Sequence, residues 1–131
     1  MCRNELITEI KSKYLENRQQ VHSWDKSCTK LKMYKNGVYT FCDDSDTVLY
    51  IGMVSDAKTA SLYARLYSNG NASHQRKTWF GNIAKIYFYG LPTAEKSDIM
   101  ILERILIREF NPIHNDLDFE DEEIQNVLKK M

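Results

Sequence analysis

Two short segments constrain this chain more than anything else in it. Residues 37–41 read Gly-Val-Tyr-Thr-Phe and residues 47–51 read Thr-Val-Leu-Tyr-Ile, both dense in β-branched and aromatic side chains. Between them lies Cys42-Asp43-Asp44-Ser45-Asp46, a polar run suited to a turn. The pair predicts a β-hairpin and so puts antiparallel sheet at the centre of the fold.

The flanking segments supply the rest. From Asn4 to about Gln20, Leu6, Ile10, Tyr14 and Leu15 recur at helical spacing. His22 to Lys35 is polar and reads as irregular. From about Thr59 to Tyr67 the pattern is helical again, with Leu62, Tyr63 and Leu66 apolar, and Ser68-Asn69-Gly70-Asn71 stops it. His74 to Trp79 reads as a basic polar loop. Ile83 to Tyr89 is a third strand, ended by Gly90-Leu91-Pro92. A long helix begins between Thr93 and Ser97 and runs to Phe110, where Pro112 enforces its end. Asp116 to Glu123 is acidic, and the last residues allow a short terminal helix. This order predicts an α+β fold: a small, mainly antiparallel three-stranded sheet flanked by helices, with an extra helix at the N-terminus.

The 131 residues suit one domain, and no repeat or low-complexity linker divides them. The expected organisation is a helix and polar extension over 1–36, a core over 37–116 and an acidic tail over 117–131. No apolar run approaches the ~20 residues that span a bilayer, and the charged N-terminus has no signal core, so a cytoplasmic protein is expected. Cys2, Cys28 and Cys42 form neither a disulfide framework nor, with His22, a zinc site; they read as reduced thiols. A formal net charge of zero argues against a purely electrostatic nucleic-acid clamp. The charge is nevertheless uneven. Ala57 to Ala94 holds Lys58, Arg65, Arg76, Lys77 and Lys85 but no acid.

Several residues stand out as candidates for chemistry. Tyr39 and Tyr50 lie on the paired strands, each with a glycine two residues away, Gly37 and Gly52. A glycine leaves room beside a phenol ring, and two phenols on paired strands can converge. The plain alternative is that tyrosine is simply a good strand former. Glu103 is flanked by Ile99, Met100, Leu106 and Ile107, so it interrupts the apolar face of its helix, whereas Arg104, Arg108 and Glu109 sit on the polar side. Such a carboxylate needs a divalent cation, a buried ion pair or an edge position that reaches water. Arg65 lies at the rim of an apolar stripe and is either a phosphate fork or a surface arginine. His74, Arg76 and Lys77, with Gln75 and Trp79 beside them, combine charge with a ring, a mixture that suits nucleic-acid contact as well as a solvated loop.

Read together, these pieces resemble the GIY-YIG endonuclease family. Gly37-Val38-Tyr39 looks like the GIY triplet, and Tyr50-Ile51-Gly52 is the YIG triplet unchanged. Ser61-Leu62-Tyr63-Ala64-Arg65-Leu66 resembles the family's arginine helix. Glu103 with Leu106-Ile107, Asn111-Pro112 and Asn115 resembles its glutamate block, with a Glu-to-Asn spacing similar to the nuclease domain of the bacterial excision-repair incision subunit. The likeness spans residues 37–115. It departs in Val38 for isoleucine, in a longer segment from Met53 to Ala60, in Met53 where some members carry lysine, and in Asn69 where many carry histidine or tyrosine. His74 is a candidate substitute for that last position.

The resemblance implies a metal-dependent endonuclease acting on phosphodiester bonds, most naturally in DNA. It implies Tyr39, Tyr50, Arg65, Glu103 and Asn115 as catalytic residues, with Glu103 the ligand of one Mg2+ or Mn2+ ion. Gly37 and Gly52 would be structural, and His74, Arg76 and Lys77 would contact nucleic acid. Tyr50 or Tyr39 would help activate water, Arg65 would stabilise phosphate charge, and Asn115 would hold Glu103 or a tyrosine in place. Specificity would come from the flanks, the basic loop, a homodimer or a targeting partner. The alternative within the same fold is a catalytically inactive nucleic-acid-binding module.

Overall fold

A computed structural model of the chain describes residues 2–55, 60–68, 73–114 and 130. Helix α1 (Arg3–Asn17) leads into β1 (Gln19–Val21), a 3-10 turn (Thr29–Met33) and the hairpin of β2 (Gly37–Cys42) and β3 (Val48–Val54). Helix α2 (Leu62–Tyr67) follows, then 3-10 turns at His74–Arg76 and Phe80–Asn82, strand β4 (Lys85–Gly90) and helix α3 (Lys96–Phe110). The fold is α+β, as the pattern predicts.

The sheet has four strands, not three, in the order β1-β4-β2-β3, every neighbouring pair antiparallel. The added strand comes from the N-terminal extension: Gln19, Gln20 and Val21 pair with Phe88, Tyr87 and Ile86. Three residues give too little alternation for a strand to be seen in sequence. Only the ladder offered by β4 makes them one.

Alternation along the strands separates two cores. Val38 and Ile51 point to one face, where they pack with Tyr14 of α1 and with Ile99 and Leu106 of α3. Tyr39, Phe41 and Val54 point to the other, with Leu31, Leu62 and Leu66. The hairpin register slips once: Phe41 pairs with Tyr50, but Cys42 pairs with Val48. The extra residue, Leu49, is a bulge that lets Leu49 and Tyr50 both serve the α2 face, which strict alternation forbids.

The N-terminal extension is bound into both layers. Tyr14 is 1% exposed, its hydroxyl hydrogen-bonds Thr40, and Leu31 is fully buried. Leu6 and Leu15, placed by periodicity on the same apolar face, are instead 48% and 43% exposed, so α1 is anchored mainly by its last turns. Helix α3 starts with a reciprocal capping box between Glu95 and Asp98. It ends at Asn111, whose left-handed φ of 43° turns the chain out one residue before Pro112. Helix α2 starts later than its pattern suggests, at Leu62, because Ser61 caps it by accepting from the Ala64 N–H at 3.1 Å. Asn69 to Asn71, Lys58 and Thr59, Asn115, the acidic run and the expected terminal helix through residue 129 lie outside the described residues. No helix among the described residues is long and apolar enough to cross a membrane. All three cysteines are free.

Candidate active site

The site forms where β2 and β3 face α2 and the 74–76 turn. Tyr39 pairs directly with Gly52 across the hairpin. A Cβ on Gly52 would lie 2.8 Å from Tyr39 Cε2 and closer still to Cζ and the hydroxyl oxygen. Gly52 is therefore what admits the Tyr39 phenol. The glycine that matters is the one opposite, not the one two residues along the same strand. Gly37 has a different duty: a Cβ there would meet Phe88 Cζ at 2.7 Å and crowd the carbonyl of Tyr89, so it allows β4 to come close.

Tyr39 is 2% exposed, and its hydroxyl lies 2.7 Å from His74 Nε2. Its ring stacks near Tyr50 at 6.1 Å between centroids. Tyr50 is half-buried and meets His74 edge-on at 4.6 Å. Trp79 stacks on Tyr50 at 5.4 Å, and His114 stacks on Trp79 at 5.1 Å with the planes 10° apart. Backbone bonds from the N–H groups of Ile113 and His114 to the carbonyls of Val48 and Leu49 fix that last ring beside β3. The result is a ladder of rings from the buried Tyr39 to the C-terminal end of α3. His114 was not singled out by pattern, since Asn111-Pro112-Ile113-His114-Asn115 reads only as a helix stop; its one sequence signal is a histidine just after the Glu103 helix.

The electrostatics tie the charged candidates to the same phenol. Burial raises the Tyr39 pKa well above 10, with Tyr50 and the Glu103 carboxylate pushing the same way and Arg65 opposing them. Arg65 and Glu103 thus act on one phenol from helices on opposite faces of the sheet. That is possible because β3 is an edge strand and α3 packs against it. His74 reads in sequence as part of a polar loop, but the structure turns it inward to 4% exposure. Burial, then Arg65 and Lys77, lower its pKa to about 4, so the ring is neutral at pH 7. Its Nδ1 has no hydrogen-bond partner among the described residues. Arg65, Arg76 and Lys77 are exposed, and Glu103 is half-buried.

Three of the candidates, Tyr39, Tyr50 and His74, are in contact, and the charges of Arg65 and Glu103 bear on Tyr39; Arg76 and Lys77 are exposed on the turn that carries His74, and Asn115 lies outside the described residues. Among the described residues no three His, Cys, Asp or Glu side chains assemble. A hard divalent ion would have Glu103 as its carboxylate ligand, with water and phosphate oxygens completing the shell, a sparse ligation that Mg2+ accepts. A half-buried carboxylate beside a protonated phenol fits that use. No protein-family model matches the chain, and no curated protein matches its sequence.

Proposed function

We propose that the protein is a metal-dependent endonuclease of the GIY-YIG type, hydrolysing phosphodiester bonds in nucleic acid, with DNA the first substrate to test. The observation that carries this reading is the cluster of Tyr39, Tyr50 and His74, with the buried Tyr39 hydroxyl 2.7 Å from His74 Nε2 and Tyr50 against both rings; the charges of Arg65 and Glu103 both bear on the Tyr39 phenol.

Each side chain has a task in such a reaction. Arg65, exposed at the last turn of α2, forks onto the phosphate and offsets its developing charge. Tyr39 stays protonated at neutral pH, so it serves as a hydrogen-bonding post and not as a base. Tyr50 is half-buried where Tyr39 is buried, which supports it as the phenol that orders the attacking water. Neutral His74 holds Tyr39 in place through Nε2. Glu103 would hold the divalent ion, which when bound supplies Lewis-acid polarisation of the phosphate.

The test pairs the wild type with Glu103→Ala and Tyr50→Phe. Linear duplex, single-stranded, flap, four-way-junction and supercoiled DNA are incubated with EDTA, Mg2+ or Mn2+. Metal-dependent cutting by the wild type, abolished in Glu103→Ala with its circular dichroism unchanged, is expected. Cutting that survives Glu103→Ala would sink the ligand assignment, and full-rate cutting by Tyr50→Phe would remove the phenol from the chemistry. Binding without cutting would turn the reading to a catalytically inactive nucleic-acid-binding module.

A further inference from the structure

The lysines before β2 have no part in the site described so far. From Lys26 to Cys42 the chain carries Lys26, Lys30, Lys32 and Lys35 and no acid. All four are exposed, and none forms an ion pair among the described residues. Asp25, at the head of the run, is turned onto Ser27, from whose N–H and hydroxyl it accepts at 2.9 and 2.5 Å. The segment is not a stray loop. Leu31 is buried in the core below it, and the Leu62 N–H donates to the Tyr34 carbonyl at 3.0 Å, docking the segment on α2. Lys32 Nζ sits 5.1 Å over the Tyr63 ring of that helix, which also carries Arg65. The lysine segment thus docks on the same short helix that carries the candidate phosphate-binding arginine.

Two clefts of the surface differ in sign. Toward the lysines lies a groove of about 800 Å3 lined by Asn17, Gln19, Lys30, Tyr34 and Phe88, without a carboxylate among the described residues. The cleft beside His114 is lined by Asp43 and Asp44. A polyanion is repelled at the second cleft and attracted at the first.

Resting on the nuclease reading, we propose that the phosphodiester backbone of the substrate leaves Arg65 and crosses the lysines of residues 30–35, so that this segment is the protein's nucleic-acid track. Lysines that neutralise phosphates release counterions, and each contact steepens the salt dependence of binding. The experiment is fluorescence anisotropy with a labelled DNA duplex in EDTA at several salt concentrations, where cleavage plays no part. The Lys30→Gln, Lys32→Gln, Lys35→Gln triple variant is compared with wild type and with a control triple of equal charge change, Lys11→Gln, Lys13→Gln, Lys96→Gln. The track predicts that the first triple loses about 2 to 3 from the magnitude of the log–log salt slope, and roughly 100-fold in affinity at ~0.1 M salt, while the control stays within about threefold of wild type. An unchanged slope in the first triple, an equal loss in the control, or a wild type that does not bind overturns the track. If the wild type cuts DNA but the slope is unchanged, the track fails and the nuclease reading stands. If the slope falls as expected but nothing is cut, the track stands and the nuclease reading fails.

Discussion

Replacing Gly52 with alanine should strike the site through sterics alone. The added methyl would lie 2.8 Å from Tyr39 Cε2 and nearer to Cζ and the hydroxyl. The ring has no slack, because Tyr39 is 2% exposed and held between Phe41, Tyr50 and His74. Overpacking of this kind costs about 1–3 kcal/mol. Displacing the ring also breaks the 2.7 Å bond to His74 and strands a buried polar atom, a further ~1–3 kcal/mol. The sum, roughly 2–6 kcal/mol, is a large share of the ~5–15 kcal/mol that holds a domain together. At an m-value of about 2 kcal/mol/M the urea midpoint should fall by roughly 1–3 M, read by the fluorescence of Trp24 and Trp79. A cycle with Tyr39→Leu isolates the cause, since leucine ends short of the crowded atoms. The double variant should be scarcely less stable than Tyr39→Leu alone, a coupling of about 2 kcal/mol or more. A Gly52→Ala midpoint within ~0.3 M of wild type, or additive losses in the cycle, would refute the account of Gly52 as the space for the phenol.

Three further outcomes are expected. The folded pKa of His74, about 4, lies below the unfolded value near 6.5, so its share of stability is full above pH ~6.5 and is lost as pH falls toward 4. The midpoint difference between wild type and His74→Gln should therefore shift by up to ~3 kcal/mol between pH 7 and pH 4.5; a difference independent of pH would contradict a buried neutral imidazole. Tyr14→Phe removes the bond to Thr40, whose side chain is fully buried, and should cost about 1–2 kcal/mol in urea melts with the helical circular dichroism kept. Asn111→Gly should be neutral or slightly stabilising and Asn111→Val destabilising by ~1–2 kcal/mol, because only the left-handed φ of 43° is at stake; equal melting temperatures for the two would count against it.

Much of this architecture is local in origin and so could be read from the chain. Strand alternation in 37–41 and 47–51, the apolar stripe of the Glu103 helix and the stop at Asn111-Pro112 depend on neighbours within a few residues. They gave the hairpin, the third strand, both later helices and the α+β class. Glu103 was visible for the same reason, as a carboxylate that interrupts the apolar face of its own helix.

What the sequence left open depends on contacts distant along the chain. Strand β1 exists because β4 offers it a ladder, and Gln19–Val21 carries no strand pattern of its own. His74 looks polar beside Gln75 and Arg76, yet the Tyr39 hydroxyl and the surrounding rings draw it inside. The Gly52–Tyr39 match is a matter of register between strands, and the Leu49 bulge that shifts that register leaves no mark in composition. The lysines of residues 26–35 read as an irregular stretch until the docking of Tyr34 and Lys32 on Leu62 and Tyr63 ties them to α2. Periodicity reports which way a side chain points relative to its own element. Which side chain stands opposite is decided only when the elements pack, and the chemistry of a site depends on that pairing.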